Sequence, residues 1–79
     1  MDEREIYARL NRVFCDVFDD DSIRIGPRTT ADDIEDWDSL AHISLIAAVE
    51  RTFRVKFRMG EISTMKNVGE MVAIIKARA

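Results

Sequence analysis

The chain has 79 residues with one Cys, one His, three Gly and one Pro. That length supports a single domain spanning residues 1–79, with a compact core that removes roughly 60–65% of the unfolded surface from water. Hydrophobic residues at 47% and charged residues at 34% describe a globular chain, and no apolar run approaches the roughly 18 residues of a transmembrane helix. One Cys excludes a disulfide framework and a multi-thiolate zinc site. The expectation is a small cytoplasmic, monomeric module without membrane insertion.

The net charge of −3 is unevenly spread. Met1–Asp38 carries 12 acids and 5 bases, whereas Ser39–Ala79 carries 3 acids and 7 bases. The acidic half argues against a nucleic-acid binder, which needs a dense basic stripe. The bases after Arg51 are spaced out and read as a solvated surface.

In chain order, Ile6, Leu10, Val13, Phe14, Val17 and Phe18 recur with helical spacing and predict the first helix. Asp2 and Glu5 form a capping pair at its start. Asp19, Asp20 and Asp21 end it, since carboxylates oppose the helix dipole at a C-terminus. Cys15 falls opposite the apolar stripe. Residues 19–37, with Gly26 and Pro27, read as a long loop pinned to the core by Ile23, Ile25, Ile34 and Trp37. Trp37 is expected to be an anchor.

Asp38 is expected to cap a second helix running from Ser39 to about Phe53. Arg54–Arg58 alternates charged and apolar residues but has no sheet to join, so it reads as an extended connection. Glu61–Met65 is expected to form a short helical turn. The last helix starts at Asn67, with Glu70 in the capping-box position and Val68, Met71, Val72 and Ile75 on its apolar face. The expected fold is all-α: a small four-helix bundle of three main helices and one short one, with a long loop between the first two.

The second helix is apolar on two sides. Residues placed at about 100° intervals put Leu45, Ile46, Val49 and Phe53 on one face, which should meet the core. Leu40, Ile43 and Ala47 fall nearly opposite, and so few elements cannot cover both faces. This second stripe is expected to be exposed and to dock a partner.

Catalytic constellations are missing. The glycines are scattered, so there is no phosphate loop. Asp38, Ser39 and His42 are close in sequence, but one turn of a small bundle offers no oxyanion cleft for a triad. Asp32, Asp33, Glu35 and Asp36 read as solvated carboxylates, and His42 as a packing or surface residue. Ser39 is the remaining candidate. It begins a helix whose free N–H groups and dipole favour a phosphate; the plain alternative is an ordinary capping serine.

Trp37-Asp38-Ser39-Leu40 resembles the D-S-L signature of the acyl carrier protein family, including its peptidyl carriers. Ile43, Leu45, Ile46, Val49, Glu50 and Phe53 follow with the family's spacing. Phe57, Met65, Val68, Val72 and Ile75 extend the resemblance over almost the whole chain. The resemblance implies that Ser39 accepts 4′-phosphopantetheine from coenzyme A through a phosphopantetheinyl transferase. The arm's thiol then carries an acyl group as a thioester to loading, synthase or transferase enzymes. It implies that Asp38 takes part in recognition by the transferase, and that the protein is a carrier, not an enzyme.

In fatty-acid carriers the helix after the serine is rich in acids; here it has only Glu50, beside Arg51. The W-D-S-L-A-H wording resembles stand-alone carriers of polyketide, lipid-modification or aminoacyl systems. An aminoacyl or peptidyl carrier, and a helical interaction module without a prosthetic group, are the alternatives. For an apolar cargo, the adaptable Met65 and Met71 and the small Ala47 and Ala48 are expected to let the helices part.

Overall fold

The computed structural model describes Met1–Ala79, and every helix expected from the apolar periodicity is present. Helix α1 spans Glu3–Phe18, α2 Ser39–Phe53, α3 Met59–Thr64 and α4 Val68–Arg78. There are no strands. Short polar side chains start three of the helices by accepting an N–H of the first turn. Asp2 accepts from Glu5, Asp38 from Ala41 and Asn67 from Glu70. Two expected boxes close differently. Glu5 pairs with Arg9 at 3.0 Å instead of returning to its cap, and the Glu70 carboxylate accepts from the Lys66 N–H at 3.1 Å.

Helix α1 packs against α2 and α4. Ile6, Leu10 and Phe14 from α1 meet Leu45 and Val49 from α2 and Val68, Met71, Val72 and Ile75 from α4 in one buried core. The alternation in Arg54–Arg58 is real although no sheet forms. Phe53, Val55 and Phe57 are buried, while Arg54, Lys56 and Arg58 point outward. The short helix begins two residues before the expected Glu61, at Met59.

Cys15 lies opposite the stripe, as its spacing predicts, and is nevertheless buried. The loop after α1 turns back over that face, burying Ile23 and bringing its carbonyl oxygen to 3.7 Å from the thiol. Asn11 fastens the fold-back, donating to the Ile23 carbonyl at 3.1 Å and accepting the Ile25 N–H at 2.8 Å.

The rest of the loop is similarly held. A 3-10 turn at Ala31–Asp33 interrupts it, closed by the Thr30 N–H donating to Asp33 at 2.9 Å. Its carbonyls then satisfy the start of α4, where free N–H groups need acceptors. Val68 N–H donates to Thr29 at 2.9 Å and Gly69 N–H to Pro27 at 3.0 Å. Ile25, Ile34 and Trp37 pack on the core as expected.

Candidate functional site

Trp37 delivers the chain to the start of α2. Its indole meets the Phe14 ring edge-on, with centroids 5.2 Å apart, and lies 6.1 Å from Phe18. This aromatic anchor fixes where the next two residues emerge. Asp38, not Ser39, is the cap: its Oδ1 accepts the Ala41 N–H at 2.8 Å. Ser39 is therefore the first residue inside the helix, exposed and free of a capping role. The N–H groups of Ser39 and Leu40 lie outside the helical ladder, at the positive end of the dipole.

His42 stands one turn below Ser39 and joins three elements. Trp37 Nε1–H donates to His42 Nδ1 at 3.1 Å, and His42 Nε2 lies 3.1 Å from the Ile62 carbonyl oxygen on α3. In the neutral ring this fixes the tautomer. Nδ1 accepts, and Nε2–H donates to the carbonyl. Both imidazole nitrogens are thus committed away from Ser39, and the Asp38 carboxylate serves the helix cap. A Ser-His-Asp relay is not assembled.

A groove of about 560 Å³ opens beside Ser39. Trp37, His42 and Ile43 line it together with Ile62, Met65 and Met71 from beyond α2. Met65 and Met71, expected from the sequence to let the helices part, are among the residues that line it. Ala47 and Ala48 do not line it; Ala47 is on the outer face of α2 and Ala48 packs inward on the core. The groove walls were not foreseen at Trp37, His42 or Ile62. For His42 a signal existed, since three residues on from Ser39 is one helical turn along the same side.

The outer stripe of α2 is uncovered. Leu40 is 77% exposed and Ile43 64% exposed, and Ala47 continues the same line. Met59 at the start of α3 is 86% exposed. Asp32, Asp33, Glu35 and Asp36 are all exposed. Arg78 grips Glu61, in the first turn of α3, with two hydrogen bonds of 2.7 and 2.6 Å and also donates to the Lys56 carbonyl at 2.9 Å. The Arg78 guanidinium, followed by the Arg58 backbone N–H, holds the Glu61 carboxyl down from 4.5 to about 2.

An exposed hydroxyl on a helix start, with uncommitted N–H groups and an apolar groove alongside, suits a phosphodiester-linked arm. The comparisons agree. A family model described as the phosphopantetheine attachment site matches residues 8–75. The solution structure of a holo acyl carrier protein from Geobacter metallireducens is similar at 40% sequence identity, covering 92% of this chain and 84% of that one, with a TM-score of 0.87. No curated protein matches.

Fold and site define a carrier domain of the phosphopantetheine-binding class. The chain belongs to the acyl carrier protein family, and its prosthetic group is a covalently attached 4′-phosphopantetheine. Members are carriers and not catalysts; they interact with a phosphopantetheinyl transferase and with biosynthetic enzymes. No helix is long and apolar enough to cross a membrane.

Proposed function

We propose that Ser39 is the attachment residue and that residues 1–79 form one carrier domain, acting as a cytoplasmic monomer. The observation that carries this reading is the division of labour at the start of α2: Asp38 caps the helix and leaves the Ser39 hydroxyl exposed. In the transferase site, Ser39 Oγ forms a bond to the coenzyme A phosphorus nearest pantetheine. The pyrophosphate P–O bond breaks, adenosine 3′,5′-bisphosphate leaves, and the hydroxyl proton passes to a base. Once attached, the arm supplies a thiol that holds the acyl group as a thioester.

The chain's own residues then position the arm. The Ser39 and Leu40 N–H groups would hold the arm's phosphate, and the groove past His42 and Ile43 would offer apolar walls to the arm or its cargo. Burial at about 0.8 kcal/mol per CH₂ favours an alkyl cargo there. The same groove carries His42, Ser63 and Asn67, which suits a short or polar acyl group equally. Asp38, Leu40, Ile43 and Ala47 form the surface read by the transferase and by loading or synthase enzymes. With only Glu50 as an acid on α2, a polyketide or other specialised pathway fits better than ordinary fatty-acid synthesis.

The test is intact mass spectrometry after incubation with coenzyme A, Mg²⁺ and a broad-specificity phosphopantetheinyl transferase. One arm per chain is expected, and loading should add a hydroxylamine-labile acyl mass. A chain left unmodified by a transferase that modifies a control carrier would refute the reading.

A further inference from the structure

The outer stripe of α2 does not end in polar residues at random. Leu40, Ile43 and Ala47 recur at i, i+3 and i+7, and Arg51 at i+11 is next on the same face. The apolar line from Ser39 therefore runs into a guanidinium. Beyond it, the in-out alternation of Phe53–Arg58 turns Arg54, Lys56 and Arg58 outward. Lys66 stands exposed at the far end of α3.

None of these five cations forms an ion pair within the chain, although Arg58 is close enough to Glu61 to help lower its carboxyl. The four ion pairs of the protein use Arg9, Arg12, Lys76 and Arg78 instead. Only two acids, Glu50 and Glu61, occur between Ser39 and Asn67, and both are engaged internally. Glu50 accepts the Phe57 N–H at 2.9 Å, and Glu61 is gripped by Arg78. The acids of the chain are concentrated instead before Ser39. Scattered solvated charges would explain the cations alone. They do not explain cations outside any ion pair adjoining an uncovered apolar stripe that starts at the modification site.

From this juxtaposition we infer that the α2–α3 face docks an enzyme surface made of an apolar patch rimmed by carboxylates. Leu40, Ile43, Ala47 and Met59 supply the apolar contact. Arg51, Arg54, Lys56, Arg58 and Lys66 supply orientation and a faster encounter. A nucleic acid fits poorly, because Met1–Asp38 carries 12 acids against 5 bases. The inference rests on the carrier reading with Ser39 as attachment residue.

The experiment uses one broad-specificity phosphopantetheinyl transferase in two forms, its carrier-facing rim changed to Glu in one and to Lys in the other. Arm attachment to the full chain is followed by intact mass. The Glu-rimmed form is expected to modify the wild-type chain with kcat/KM about tenfold higher than the Lys-rimmed form at low salt, the gap closing as salt rises. Arg51→Glu/Arg54→Glu should reverse that order. Lys56→Glu/Lys66→Glu, which leaves α2 untouched, should narrow it if the first variant fails to fold. Equal rates with both forms, or an order unchanged by either variant, would overturn the inference while leaving Ser39 modified. No modification by any form would remove the carrier reading itself. Salt-sensitive binding of the wild-type chain to phosphatidylglycerol vesicles, or self-association abolished by Arg51→Glu/Arg54→Glu, would assign the face to a lipid surface or a second copy and overturn the enzyme partner.

Discussion

The Trp37 indole N–H donates to His42 Nδ1 at 3.1 Å, tying the end of the long loop to the first turn of the helix that presents Ser39. The other ring nitrogen reaches the Ile62 carbonyl at 3.1 Å. One imidazole thus sets the spacing of loop, α2 and α3 around the groove. His42→Ala removes both bonds and leaves the half-buried indole N–H and carbonyl without partners. A loss of about 1–3 kcal/mol in urea unfolding is expected. Faster amide exchange in α3 should accompany it. Nitrogen-15 spectra of the neutral wild-type ring should show the proton on Nε2.

Gly69 is close to the loop for a reason its neighbours do not share. A Cβ there would lie 2.7 Å from the Pro27 carbonyl oxygen, the atom that accepts the Gly69 N–H. Alanine gains about 1 kcal/mol in helix propensity, but it must push away backbone that caps α4. The clash outweighs the gain, so Gly69→Ala should destabilise by about 1–3 kcal/mol in chemical denaturation. Unchanged or raised stability would mean that the loop yields freely.

The Glu61–Arg78 pair links the start of α3 to the end of α4. Its carboxyl is held down to about 2 by the Arg78 hydrogen bonds first and the Arg58 N–H second. A depressed carboxyl stabilises the folded chain fully above its ordinary value of 4.5 and loses that contribution as pH falls towards about 2. Melting temperature should therefore drop through this window. Glu61→Gln should lower it at about pH 7 and flatten the decline between about pH 5 and pH 2. Parallel curves for the two proteins would show that the pair contributes nothing.

Much of this was legible from residue order. Periodicity located α1, α2 and α4, and D-S-L located the helix start that carries Ser39. The two faces of α2 could be separated because their residues are apolar at distinct angles, and Leu40 and Ile43 are indeed exposed. The burial of Cys15 was not legible, because the apolar stripe marks only the side of α1 that meets other helices. Here a loop, fastened by Asn11, covers the other side. The groove was hidden for a related reason. Its walls come from Trp37, His42 and Ile62 on three elements, joined by bonds spanning up to twenty positions, and no local pattern encodes them.

Leu40 separates docking from both folding and groove lining. It is 77% exposed, so Leu40→Asp should change stability by no more than about 0.5 kcal/mol. Ile43→Asp touches the groove as well and should cost somewhat more. Both variants should keep cooperative melting yet take up the arm or an acyl group at a sharply reduced rate. Folded variants that react normally would remove the stripe from the docking surface.

The central claim is that the hydroxyl of Ser39 bears the arm. Its most direct measurement is fragment mass spectrometry of the transferase-treated chain, beside the same treatment of Ser39→Ala. The substitution leaves the Asp38 cap intact and should cost at most about 1 kcal/mol, so the variant remains folded. Phosphopantetheine should be found on the fragment containing Trp37-Asp38-Ser39-Leu40 and be wholly lacking from the alanine variant. An arm on any other residue, or a folded Ser39→Ala chain that still gains its mass, would contradict the assignment.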